Sequence, residues 1–210
     1  AAQSLDHPPL AMGTSSDARE MNTVTIAAHA GAGGWSNACI VKRRPFTGWW
    51  EYALDDAIFT APARDNHSGA ALLDSEGRLI GIGSLWVGDA SEAGAAFPGN
   101  MFVPTDLLMP ILAELKSEGR RRGAARPWLG IYSEEMRQHV VVTQVLRDSP
   151  AERSGIKRGD VILAVGEQAI GSQAEFYRTV WASGGAGSEI TLQIWRAKAV
   201  REINVRSIDR

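Results

Sequence analysis

From Met21 to Pro104 the chain is cut into short apolar segments by glycine, proline, asparagine and aspartate. That punctuation favours strands over helices before any motif is considered. Met21–His29 carries Val24 and Ile26 and runs into the turn Gly31-Ala32-Gly33-Gly34. Ala38–Arg44, Trp49–Thr60, Ala70–Asp74, Arg78–Gly88 and Asn100–Pro104 follow, with Ser75-Glu76-Gly77 as a hairpin turn. Six strands are the number that closes one small antiparallel barrel, and 22 glycines suit such a turn-rich chain. The aromatic cluster at 49–52 reads as core and rim packing. Thr105-Asp106 then caps an expected helix through Leu107, Leu108, Ile111, Leu112 and Leu115, whose spacing of three and four makes one stripe. Gly119 is its expected stop, and Pro110 leaves its start open.

Composition narrows the function classes. A net charge of −2 argues against a nucleic-acid or anionic-membrane partner held by bulk electrostatics. No stretch approaches the ~18 consecutive apolar residues of a membrane span. The single Cys39 excludes an internal disulfide, and its apolar neighbours suit a buried, inert thiol. The first residues lack the basic and apolar regions of a signal peptide, and the chain does not start with Met, so the compartment cannot be read from them.

The segment Gly119-Arg120-Arg121-Arg122-Gly123-Ala124-Ala125-Arg126-Pro127 reads as an exposed linker over 119–126, its arginines solvated. Beyond it, Trp128-Leu129-Gly130-Ile131 opens a strand and His139 to Leu146 forms another. Asp148-Ser149-Pro150-Ala151 starts a short helix ending at Gly155. Lys157-Arg158-Gly159-Asp160 then turns into the strand Val161-Ile162-Leu163-Ala164-Val165. Ser172-Gln173-Ala174-Glu175 is a capping box for a helix reaching about Ala182. Phe176/Val180 and Tyr177/Trp181 occupy neighbouring faces of it. One pair is expected in the core and the other along a groove, and the sequence does not say which. Glu189–Arg196 and Val200–Val205 complete a sheet.

The stretch with the most chemistry is Arg64-Asp65-Asn66-His67-Ser68-Gly69, a polar turn that delivers one serine into an apolar strand. Locally it suits an ordinary strand-to-strand turn. It equally suits a nucleophile beside backbone N–H groups that converge on an oxyanion. The continuation Ser68-Gly69-Ala70-Ala71-Leu72-Leu73-Asp74, then Gly77-Arg78-Leu79-Ile80-Gly81-Ile82 and Phe102-Val103-Pro104, resembles the second barrel of the HtrA/DegP-like, trypsin-like serine proteases. Residues 127–210 resemble the PDZ domain of the same proteases.

The resemblance implies a mainly-β chain: the second antiparallel barrel of a trypsin-like protease with its closing helix over 1–118, then an α+β PDZ domain over 127–210. It implies Ser68 as nucleophile, the N–H groups of Asn66 and Ser68 as the oxyanion hole, and the strand Ile82-Gly83-Ser84 as the surface that pairs with substrate. In the PDZ domain, Trp128, Leu129, Gly130 and Ile131 match the loop whose N–H groups capture a terminal carboxylate, with Phe176 and Val180 in the peptide site. The implied ligands are polypeptide substrates or protein C termini, the implied setting is the periplasm or cell envelope, and a homo-oligomer is compatible with the family. No cofactor or metal is implied, and membrane association is left open.

The sequence departs from the family around the serine. Asn66 stands where the family has glycine, His67 where it has asparagine, and Ala70-Ala71 replaces Gly-Pro. In this fold the triad runs His, Asp, Ser, with the first two on a separate N-terminal barrel. Residues 1–20 cannot build that barrel. His29, Asp55 or Asp56 and Ser68 have the right order but lie in segments already used, and His67 is a poor base for its neighbour. Two expectations follow: this is the C-terminal part of a longer protease, or it is a relative that has lost catalysis.

Overall fold

The computed structural model describes residues 7–29 and 33–210. Ala1–Asp6 lie outside the described residues, as do Gly31 and Ala32 of the predicted glycine-rich turn. Contacts divide the chain into two units: 1–46 with 54–120, and 47–53 with 121–210.

The first unit is a barrel closed in the order β1-β2-β3-β6-β5-β4 by β1 (Thr23–Ala27), β2 (Trp35–Gly48), β3 (Tyr52–Ala61), β4 (Ala71–Leu73), β5 (Leu79–Val87) and β6 (Gly99–Pro104), except that the end of β2 and the start of β3, within 47–53, belong to the second unit. Period-two alternation does the sorting. Val24 and Ile26 on β1 point inward and meet Ile40, Ile58, Leu72, Ile80 and Phe102, all fully buried. Each such side chain contributes about 1.5–3 kcal/mol on leaving water.

Two expected boundaries move. The third strand starts at Tyr52, because Trp49, Trp50 and Glu51 form a turn in which Glu51 adopts φ +57°. The expected helix after Pro104 breaks into two short 3-10 turns, Thr105–Leu107 and Met109–Ile111, before α1 (Leu112–Glu118). Pro110 offers no N–H to a helical ladder. Asp106 does not cap: its two carboxylate oxygens accept the N–H groups of Ser15 and Ser16, each at 2.8 Å. Gly119 ends α1 as expected, in the left-handed conformation at φ +72°.

In the second unit, β7 (Ile131–Met136), β8 (His139–Val145), β9 (Val161–Val165), β11 (Glu189–Arg196) and β12 (Ala199–Arg206) form a sheet ordered β12-β11-β9-β8-β7. The two-residue β10 (Gln168–Ala169) pairs with β9. Ser149 caps α2 (Pro150–Arg153) and Ser172 caps α3 (Gln173–Ala182), each accepting the N–H of the residue three further on. Phe176, Tyr177 and Val180 of α3 pack on Leu129, Ile131, Val140, Ile162 and Leu192. Asp160, buried before β9, accepts two bonds from the Arg196 guanidinium at 2.6 Å and one from the Lys157 N–H at 2.8 Å. That arrangement satisfies a buried carboxylate and fixes the turn into β9.

Candidate functional site

The serine turn is anchored at three points. At its start, the buried Asn100 side chain on β6 accepts the Arg64 N–H at 2.7 Å and donates to the Arg64 carbonyl at 3.0 Å. Within it, the Ala70 N–H returns to the His67 carbonyl at 3.0 Å, closing a tight turn around Ser68 and Gly69. At its end, Gly69 donates to the Gly83 carbonyl and Gly83 donates to the Ala70 carbonyl, both at 2.8 Å. Gly69 has φ +73°, which explains glycine after the serine. Gly83 is required for a different reason: a Cβ there would lie 1.9 Å from the His67 carbonyl oxygen.

Ser68 is therefore exposed on a clamped turn, and its hydroxyl makes no hydrogen bond among the described residues. The N–H groups of Asn66 and Ser68 are likewise without a backbone acceptor there. Asn66 is not among the residues with positive φ, so it does not reproduce the left-handed geometry open to a glycine. Its side chain is held instead by the Arg64 Nε at 3.1 Å and by the His29 carbonyl at 3.5 Å.

No imidazole is hydrogen-bonded to Ser68 among the described residues. The His67 ring turns to the Arg64 carbonyl, Nδ1 at 2.9 Å, and Asp56 is bound by the Arg43 guanidinium. His139 is exposed on β8 in the other unit. No group of three His, Cys, Asp or Glu side chains suited to a metal occurs among the described residues.

Of the proposed substrate strand, Ile82 is flanked by Ala71 on β4 and Val103 on β6, and Gly83 spends its amide and carbonyl on the serine turn. Pairing on the β4 side ends there. From Ser84 to Val87, β6 is the strand neighbour among the described residues. The unpaired edge thus starts at Ser84, one residue beyond the clamp.

In the second unit, Leu129, Gly130 and Ile131 run as predicted into β7, the last strand of the sheet. Gly130 has φ +80°, and a Cβ would meet the Ser149 Cβ at 2.3 Å, so no other residue fits. Trp128 is half-buried, exchanges two backbone bonds with Ile208 and carries the Arg210 guanidinium over its ring at 5.0 Å. Phe176 and Val180 lie buried in the core together with Tyr177, while Trp181 is half-buried beside Tyr177. The Tyr177 hydroxyl meets the Ser133 hydroxyl at 3.2 Å and the Gln173 amide at 3.1 Å.

The three successive N–H groups of this loop converge on a carboxylate, that of Glu51. Gly130 and Ile131 donate to Oε1 at 2.8 and 2.9 Å, and Leu129 donates to Oε2 at 3.5 Å. Burial pushes the Glu51 carboxyl above its ordinary value, opposed by these N–H groups and by the Arg210 charge. Sequence reasoning missed Glu51 and Asn100. Neither belongs to a motif, and each acts on residues far along the chain.

Residues 127–206 match the PDZ-domain family model. Serine endoprotease DegS of Haemophilus influenzae is 32% identical over 143 residues, 66% of this chain. The chain is homologous to the HtrA-type serine proteases. The Do-like protease HtrB of Bacillus subtilis is 25% identical over 163 residues, 69% of the chain. The homology covers part of those proteins, 40% of the DegS length and 34% of the HtrB length. Among solved structures, the HtrA-type protease AlgW with a decapeptide superposes with a TM-score of 0.62 at 24% identity, over 99% of this chain and 66% of that one. The serine endoprotease of Yersinia pestis gives 0.55 at 22% identity, over 98% and 68%. The mainly-β fold of the HtrA-type proteases with their PDZ domain is thus shared throughout the chain.

Proposed function

We propose that this chain works in a serine endopeptidase of the HtrA type, with Ser68 as the nucleophile. The observation that carries this reading is the exposed hydroxyl, without a hydrogen bond among the described residues, on a turn clamped to β5 through Gly83. Ser68 Oγ would attack the scissile carbonyl carbon while a general base takes its proton. The C–N bond then breaks, the amine leaves with that proton, and water hydrolyses the acyl-enzyme. The N–H groups of Asn66 and Ser68 would stabilise the oxyanion, and an extended substrate would pair along the edge that opens at Ser84. The base and its orienting carboxylate would come from a companion barrel, since none of the described imidazoles is hydrogen-bonded to Ser68. The PDZ domain would capture polypeptide C termini at Leu129, Gly130 and Ile131, with the periplasm or cell envelope as the setting.

A fluorophosphonate probe on the full-length protein tests the nucleophile. Covalent labelling that disappears in Ser68→Ala supports the reading, and an unlabelled intact protein overturns it. A second reading, a peptide-binding scaffold without catalysis, is favoured by Asn66 lacking positive φ and by His67 turning to Arg64. It predicts no labelling together with carboxylate-dependent peptide binding.

A further inference from the structure

We propose that residues 48–51 are an internal ligand of the PDZ groove, the Glu51 side-chain carboxylate occupying the place of a peptide's C-terminal carboxylate. A peptide then binds only by displacing this segment. The inference rests on the reading of Leu129–Ile131 as a carboxylate-capture loop.

Four observations within the second unit carry it. The Glu51 carboxylate takes the N–H groups of three consecutive residues, as a terminal carboxylate would. The segment also pairs with the sheet edge: the Ser133 N–H donates to the Trp49 carbonyl at 3.1 Å. Residue 51 thus lies against 130 and 131 while residue 49 lies against 133, so the segment runs antiparallel to β7. That is the direction of a peptide added to an edge strand with its carboxylate at the loop. Third, the Gln173 amide at the start of α3 reaches the Gly48 carbonyl at 3.4 Å, and the Trp49 ring meets Tyr132 edge-on at 4.8 Å. Both walls of the groove are therefore engaged. Fourth, Glu51 holds φ +57°, a left-handed conformation disfavoured for a side chain of this size. The turn is thus held in a strained form that aims the carboxylate at the loop.

The effect on ligands follows from competition. Apparent affinity equals intrinsic affinity reduced by the fraction of molecules whose groove is open. Opening costs the charged hydrogen bonds to Glu51 but relieves its backbone strain and restores its hydration, so the occluded state is only moderately favoured.

The test uses the full 210-residue chain against an array of decapeptides, each presented with a free and with an amidated C terminus. Wild type, Glu51→Ala and Glu51→Gln are compared, with the backbone amide NMR spectrum of each recorded without peptide. The expected result is that both variants bind free C termini about tenfold more tightly than wild type, the factor for a groove open about a tenth of the time. The Gly130 and Ile131 amide resonances should shift in both variants before any peptide is added. Equal affinity of wild type and both variants for free C termini overturns the internal ligand and leaves C-terminal capture standing. Folded variants that bind free and amidated peptides alike overturn C-terminal capture, and the internal ligand with it. Unshifted Gly130 and Ile131 resonances in both folded variants overturn the internal ligand whatever the array shows.

Discussion

Asn100→Ala tests how the serine turn is held. Asn100 is fully buried on β6, and its amide exchanges two hydrogen bonds with the backbone of Arg64, 2.7 Å to the N–H and 3.0 Å to the carbonyl. Truncation removes both partners at once. An orphaned polar group costs about 1–3 kcal/mol when water cannot replace its partner. Arg64 is half-buried, so water reaches part of this site, and the expected net loss is about 2–3 kcal/mol. Against a typical domain stability of about 5–15 kcal/mol, the barrel should still fold. Urea unfolding should show a lower midpoint at an unchanged slope. The loss should also be local: exchange of the Gly69 amide, bonded to the Gly83 carbonyl, should accelerate more than exchange on β1. In the full-length protein, serine-probe labelling should slow, because Arg64 also steadies Asn66 through its guanidinium at 3.1 Å. A stability change below about 0.5 kcal/mol, the level of an ordinary surface substitution, would refute the idea that Asn100 anchors the turn. So would uniform acceleration of exchange across the barrel.

Gly83→Ala places a Cβ 1.9 Å from the His67 carbonyl oxygen, so the turn must move; probe labelling should fall at least tenfold while circular dichroism keeps its β signature. Gly130→Ala meets the Ser149 Cβ at 2.3 Å and adds a Cβ at φ +80°, and should lower the PDZ melting midpoint, with a loss of about 2 kcal/mol or more. Acid should weaken the barrel. Burial alone would raise the carboxyls of Asp74 and Asp106, but hydrogen bonds from Arg78 and Glu76, and from Ser15 and Ser16, outweigh it and hold both below their ordinary 3.8. A depressed native pKa gives stability that is complete above about pH 4 and lost as pH falls through the native values. Urea midpoints between pH 5 and pH 2 should decline more steeply for wild type than for Asp106→Asn.

Most of the barrel was legible because its evidence is local. Val24 and Ile26 alternate, Ser75-Glu76-Gly77 turns, and six such segments close one sheet. The PDZ elements were legible for the same reason, Ser149 and Ser172 marking helix starts that the structure places at Pro150 and Gln173. Failure came where a side chain chose a distant partner over a near one. Asp106 looked like a cap, but its carboxylate goes to Ser15 and Ser16, some ninety residues earlier. The stripe Leu107, Leu108 and Ile111 had helical spacing, yet Pro110 denied it a continuous ladder and Leu107 stays half exposed. Asn100 was unremarkable in a strand sequence, and only its burial beside Arg64 gives it a task.

Glu51 is the sharpest instance of that limit. Trp49-Trp50-Glu51-Tyr52 reads as the start of a strand, and a single acidic residue among aromatics carries no motif. Its meaning comes from Leu129, Gly130 and Ile131, about eighty residues later. A loop that recognises a carboxylate through backbone N–H groups reads charge and shape, and it cannot distinguish a chain terminus from a side chain that reaches the same point. What separates the two is the strand behind the carboxylate: a terminus has a free edge partner on β7, whereas Glu51 brings only the short pairing at Trp49. On the proposed capture, a peptide ligand would prevail by pairing further along β7 than residues 48–51 can. Peptides shortened from their N-terminal side should lose their advantage over the internal segment once they pair no further than Ser133.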